Sequence, residues 1–170
     1  KPSSFTLEEK SSEQQLLFPM WVVPIREMLA LAKSSIDSAD GLPWHEVLQE
    51  QGTLRCWEAG MNTLFFSHTW LGWHHPDPNG DKCRLIVALL EGILAGRVKV
   101  SAAAMATIIF GEQGVAAEDL ARDFDDGYVW MDFLSIPQRN PTNQGLAIQS
   151  LPHYVPKTVV EFAGGLHEPL

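Results

Sequence analysis

Cysteine is scarce in this 170-residue chain. The two present, Cys56 and Cys83, make no disulfide framework, which points to a reducing, intracellular compartment, although spacing alone leaves a single bridge open. Positive charge is scarce too. Twelve Lys and Arg stand against 21 Asp and Glu, for a net charge of −9, and the basic residues are scattered. The basic footprint that phosphate binding needs is therefore missing, which disfavours nucleic acid and anionic membrane surfaces as partners. Long apolar runs are absent: the most hydrophobic region, residues 85–110, is broken by Glu91, Arg97 and Lys99, so no transmembrane segment is expected. The chain reads as soluble or at most peripheral to a membrane, in an organelle the sequence does not name. Several motifs are missing as well. There is no Gly-x-x-x-x-Gly-Lys and no G-x-G-x-x-G, and neither Ser67 nor Ser135 sits in a G-x-S-x-G elbow, which counts against P-loop, Rossmann and serine-hydrolase chemistry.

What is there is enough apolar residue, 45 % of the chain, to build one core and one domain. Thr63-Leu64-Phe65-Phe66 is a short apolar run with no polar face, as in a strand covered on both sides. It is expected to end in Ser67-His68-Thr69-Trp70, followed by a loop broken by Gly72, Pro76, Pro78 and Gly80. Asp77-Pro78 suits a helix N-cap and first-turn proline. Ile86, Leu89, Leu90, Ile93 and Leu94 then recur at helical spacing, with Asp81, Lys82 and Arg84 largely off that stripe. Residues 127–134 repeat the strand pattern, residues 147–155 are a helix candidate, and residues 158–162 are a third strand closed by Gly164-Gly165. Alternating strands and helices imply a parallel sheet with right-handed crossovers and ligands at the carboxyl ends of its strands. That rule selects Ser67, His68 and Trp70 after the first strand and Asp132, Ser135 and Gln138 after the second.

Taken in order, residues 1–19 read as a polar arm, with capping boxes at Thr6 and Ser11. Residues 20–61 read as a helical lead-in: a helix opened by Pro24 with Ile25, Met28, Leu29 and Ala32 on one face, and a short helix at 44–51 stopped by Gly52. Residues 20–23 are expected to be a core segment against the sheet, and residues 53–57 an extra edge strand. The α/β domain spans 62–163, residues 98–124 form a helical insertion between its first two strands, and 164–170 are a tail. Within the insertion, residues 101–106 and 115–122 favour helix, and Asp123, Asp125 and Asp126 read as a solvated turn, lacking the alternating ligands of a calcium loop.

FFSHTWLGWHHPDPNG, YVWMDFLSIPQ and AIQSLPHYV together resemble a group of algal and protist proteins that carry a TIR-like domain. The same order is similar to TIR domains and, through VWMDFLSIPQ, to fungal HET domains, over roughly residues 20–163. The resemblance implies a three-layer, flavodoxin/TIR-like parallel sheet with strand order 2-1-3 at its core. It also implies NAD or a related nucleotide as a ligand, with Ser67, His68, Trp70, Asp132, Ser135 and Gln138 as the candidate pocket. Many TIR domains cleave NAD with a glutamate in a tryptophan-cysteine-x-x-glutamate motif after the third strand. Here Glu168 lies in a Pro-flanked tail without that motif, and Trp57-Glu58 precedes the first strand, so no catalytic residue carries over. The domain is accordingly expected to be incomplete at its C-terminus, in a chain that begins without methionine and reads as trimmed or processed.

Metal ligation by His68, His74, His75, Asp77 and Cys83 is disfavoured, because adjacent histidines on a proline-rich loop lack the regular spacing of a zinc site. Trp70, Trp73 and Trp130 have the faces to stack on a base or nicotinamide, though tryptophans more often anchor cores and interfaces. The expected function is a non-catalytic protein-interaction or scaffold module. It would act homotypically or as a peripheral subunit of a larger assembly, with an NAD-cleaving signalling enzyme as the alternative.

Overall fold

A computed structural model of the chain describes residues 16–36, 38, 41–68, 77, 79–98, 100–101, 114–154 and 160–164. Its strands are β1 (Trp21–Pro24), β2 (Arg55–Cys56), β3 (Thr63–His68), β4 (Val100–Ser101), β5 (Gly114–Val115), β6 (Tyr128–Met131) and β7 (Val160–Gly164). Its helices are α1 (Ile25–Ser35), α2 (His45–Glu50), α3 (Asp81–Leu94), α4 (Ala117–Asp123), the single turn α5 (Asp132–Ser135) and α6 (Pro141–Tyr154).

The chain is a mixed α/β protein built on a mixed sheet of order β2-β1-β6-β3-β7. Leu64, Phe65 and Phe66 lie parallel to Val129, Trp130 and Met131 on one side and to Val160, Glu161 and Phe162 on the other. Alternation along the pleat then sends side chains to opposite faces. Val23, Leu64, Phe66, Val129 and Met131 join one apolar cluster with Ile25, Met28 and Ala32 of α1, Ile86, Leu90 and Ile93 of α3, and Leu120 of α4. Val22, Phe65 and Trp130 face the other way, against Ile136 and, from α6, Ala147 and Tyr154. Both faces of the sheet are thus covered, which is why Thr63–Phe66 has no polar side.

The expected parallel sheet gains two antiparallel strands. β1 runs antiparallel to β6, and β2 antiparallel to β1. Trp21, Val22 and Val23 are therefore part of the sheet rather than a segment against it, and the supposed helical lead-in supplies two strands. The edge strand expected at 53–57 is β2. β3 runs on through Ser67 and His68, which pair with Ala163 and Gly164, so the strand ends within the stretch expected to close it.

Two helix starts differ from expectation. α3 begins at Asp81, with Gly80 before it at φ 73°. A Cβ on Gly80 would lie 2.8 Å from the Ile36 carbonyl oxygen, so glycine is required both by conformation and by space. Asp77 still caps the helix, but from farther back: its carboxylate accepts the amide hydrogens of Lys82 (3.1 Å) and Cys83 (2.8 Å). The cap-and-proline signature works instead at Asn140-Pro141, where Asn140 Oδ1 accepts the Asn143 amide hydrogen at 3.1 Å. α6 consequently starts at Pro141, not Ala147. Lys82 is buried rather than off the stripe, at 8 % exposure. Cys83 is buried beside it, and burial next to Asp77 pushes its thiol up to about 12.

β4 and β5 form a small antiparallel pair in the expected insertion, and α4 starts two residues and ends one residue after the helix expected at 115–122. Ser101, where a helix was expected to begin, is in β4; the rest of that helix (102–106), the capping boxes near Thr6 and Ser11, the residues after Gly164 and the loop 69–76 lie outside the described residues. Among the described residues, no helix is long and apolar enough to cross a membrane.

Candidate functional site

Because β3, β6 and β7 are parallel, His68, Met131 and Gly164 end on one edge of the sheet. The chain leaves β6 there through α5. Asp132 Oδ1 accepts the amide hydrogen of Phe133 at 2.7 Å, Ser135 Oγ accepts that of Met131 at 3.1 Å, and the Ile136 amide donates to the Asp132 carbonyl at 2.9 Å. Gln138 Nε2 donates to the Ile136 carbonyl at 2.8 Å and more weakly to that of Asp132 at 3.5 Å. The three candidate residues of this loop are thus brought together, and each has a backbone bond to maintain. Asp132 opens the turn instead of closing the strand. Of the other candidates, the side chains of Ser67 and His68 and all of Trp70 lie outside what the structure describes, as do His74, His75 and Trp73. Trp130 is no stacking platform: it is 1 % exposed and already stacked on Phe65, with ring centroids 4.1 Å apart and planes 4° apart.

The sequence reading missed Lys82. Its ammonium is held below its ordinary value of 10.5 by burial, against the opposing pull of Asp132 and Asp77. A buried lysine that feels the charge of both Asp132, which follows β6, and Asp77, which caps α3, therefore lies near the carboxyl edge. The signal available in the sequence was its place in the first turn of α3, five residues after Asp77.

The reading also missed a cavity of 320 Å³ beside this loop, lined by residues of three distant segments that include Trp21, His45, Glu46 and Asn143. Antiparallel pairing with β6 brings the start of β1, and so Trp21, to the same edge as Met131. α2 is fastened to the loop by Glu46, whose Oε1 accepts the amide hydrogens of Gln138 (2.9 Å) and Arg139 (2.7 Å). His45, 1 % exposed, has Nδ1 2.8 Å from the Leu134 carbonyl. A carbonyl only accepts, so Nδ1 carries the proton and Nε2 is left with its lone pair in the neutral ring. Trp21 Nε1, His45 Nε2 and Glu46 Oε2 are all buried and make no hydrogen bond.

Burial also lowers the His45 pKa from 6.5, outweighing the Leu134 carbonyl and Glu46, which both raise it. The unfolded chain therefore takes up a proton as pH falls through about 6.5 while the folded chain resists it. The contribution of neutral His45 is complete above 6.5 and declines as pH falls below it. Denaturant unfolding at pH 7.5 and pH 5.5 should show a loss on acidification that is smaller in His45→Gln.

Among the described residues, no group of three His, Cys, Asp or Glu side chains is arranged to hold a metal ion. The fold and edge define the chain as a mixed α/β protein with a polar strand-end cluster and an adjoining cavity. In comparison with known proteins, no family model, curated protein or solved structure matches it.

Proposed function

We propose that the chain is a non-catalytic protein-interaction or scaffold module of TIR/HET-like type, wound as a three-layer domain with β6-β3-β7 as the 2-1-3 core. In support of that winding, β3 is parallel to both neighbours and apolar clusters cover both sheet faces. The observation that carries the non-catalytic reading is the engagement of Asp132, Ser135 and Gln138 with the backbone of their own loop. A half-buried carboxylate so held serves the chain first. Its partners would be other proteins, a second copy or members of a larger assembly, and the exposed Leu85 of α3 and Ile148 of α6 offer apolar contact points.

The second reading is an NAD-cleaving enzyme whose catalytic glutamate lies outside these 170 residues. The buried Lys82 beside Asp77 and Asp132 favours it, because perturbed charged clusters gather at functional sites. Incubation of the purified protein with NAD, with nicotinamide release followed by chromatography, tests the first reading, and release that appears only in a longer chain containing a tryptophan-cysteine-x-x-glutamate segment would support the second. No release above the no-protein control is expected. Release that vanishes in a folded Asp132→Ala variant would overturn the scaffold reading.

A further inference from the structure

Of the four asparagines in the chain, Asn79 alone is followed by glycine. An asparagine carboxamide is open to attack by the backbone nitrogen of the next residue, provided that this nitrogen has a proton to give up and a clear approach. The other three asparagines are poor sites. Asn140 precedes Pro141, which has no amide hydrogen. Asn143 precedes Gln144, whose amide hydrogen is given to the Asn140 carbonyl at 2.8 Å. Asn62 is tied through Nδ2 to the Asp123 carbonyl at 2.8 Å, and the β-branched Thr63 that follows it is buried in β3.

Asn79 differs on each count. It is exposed, and among the described residues its carboxamide makes no hydrogen bond. The Gly80 amide hydrogen points at the Asp77 carbonyl from 3.5 Å, beyond the usual range of such bonds. Glycine also has no side chain to obstruct the approach of its nitrogen to Cγ. Gly80 is buried, but against Ile36, on the side where a Cβ would stand.

We propose that Asn79 is a self-modifying site, converted without an enzyme to aspartate and isoaspartate, and that the isoaspartyl form releases the start of α3. The Gly80 nitrogen gives its proton to hydroxide and bonds to Asn79 Cγ. The Cγ–Nδ2 bond breaks, and Nδ2 leaves as ammonia after taking a proton from water, which regenerates the hydroxide. A succinimide ring remains, and a water molecule opens it. Attack at Cγ leaves aspartate; attack at the Asn79 backbone carbonyl carbon leaves isoaspartate, with the chain routed through Cγ. The net exchange is NH for O, and nothing is oxidised or reduced. Isoaspartate adds a methylene to the backbone beside Gly80, which is wedged against Ile36 and whose carbonyl accepts the Arg84 amide hydrogen at 3.0 Å. The Lys82 and Cys83 amides, which Asp77 caps, lie in the turn so disturbed. The site stands whichever of the two functional readings holds.

The test holds the whole folded chain at pH 8 and 37 °C, digests samples at acidic pH, and follows the mass gain at each asparagine by peptide mass spectrometry. Conversion at Asn79 is expected to be at least tenfold faster than at Asn62, Asn140 or Asn143, with isoaspartyl and aspartyl peptides eluting separately. The isoaspartyl protein, isolated by chromatography, is then compared in amide hydrogen exchange with Asn79→Asp, which carries the same charge on an ordinary backbone. Exchange at Lys82 and Cys83 is expected to be at least tenfold faster in the isoaspartyl form. The proposal is overturned if Asn79 converts no faster than the other three asparagines, or if the isoaspartyl protein and Asn79→Asp exchange alike at the start of α3.

Discussion

Phe65→Ala is expected to lower the unfolding free energy by about 3–5 kcal/mol, the range for deleting a large aromatic from a core. Phe65 is 3 % exposed, lies between two parallel neighbours at the centre of β3, and stacks face to face on Trp130. Truncation removes that stack and opens a cavity which β3, held on both edges, cannot close by moving. Urea unfolding of the two proteins measures the difference. A loss below about 1 kcal/mol would mean that the strand is not covered on both faces.

Asp77→Ala is expected to cost on the order of 3 kcal/mol, from two sources. The Lys82 and Cys83 amides each lose the carboxylate that caps them at the buried start of α3, and an unsatisfied buried donor costs about 1–3 kcal/mol. The buried Lys82 ammonium also loses one of the two carboxylates that favour its charged form. Asp77→Asn should fall between the two proteins, because its carboxamide keeps one acceptor oxygen. Equilibrium unfolding decides, and an Asp77→Ala loss within about 0.5 kcal/mol of zero would contradict the capping role.

The strands with the plainest chemistry were legible in the sequence. Thr63–Phe66 and Tyr128–Met131 have no polar face, and that condition holds only inside a covered sheet. The apolar stripe of α3 was legible for the corresponding reason, at helical period. β1 was not, because Trp21–Pro24 is too short to show a period and its antiparallel pairing with β6 is set by residues more than a hundred positions away. The proline signals misled at α3 and were under-read at α6: Asp77-Pro78 and Asn140-Pro141 look alike, and the Gly80 turn against Ile36 decides where the first helix begins.

At the site, the rule that ligands gather at carboxyl strand ends selected Asp132, Ser135 and Gln138 correctly as neighbours. It said nothing of whether their polar atoms face a ligand or their own backbone. The cavity was illegible for a different reason. Phe18, Trp21, His45, Glu46 and Pro137 come from three segments that meet only once β1 has paired with β6 and Glu46 has fastened α2 to the loop. Lys82 was hidden by its type, since lysines are seldom buried without partners.

The polar residues after β6 hold the chain in its turn. Ser135→Ala tests this most directly, because Ser135 is buried and its hydroxyl oxygen accepts the Met131 amide hydrogen. Amide hydrogen exchange at Met131, measured together with unfolding by urea, should show faster exchange in the variant and a stability loss of about 1–3 kcal/mol. A variant with wild-type exchange at Met131 and wild-type stability would contradict the account.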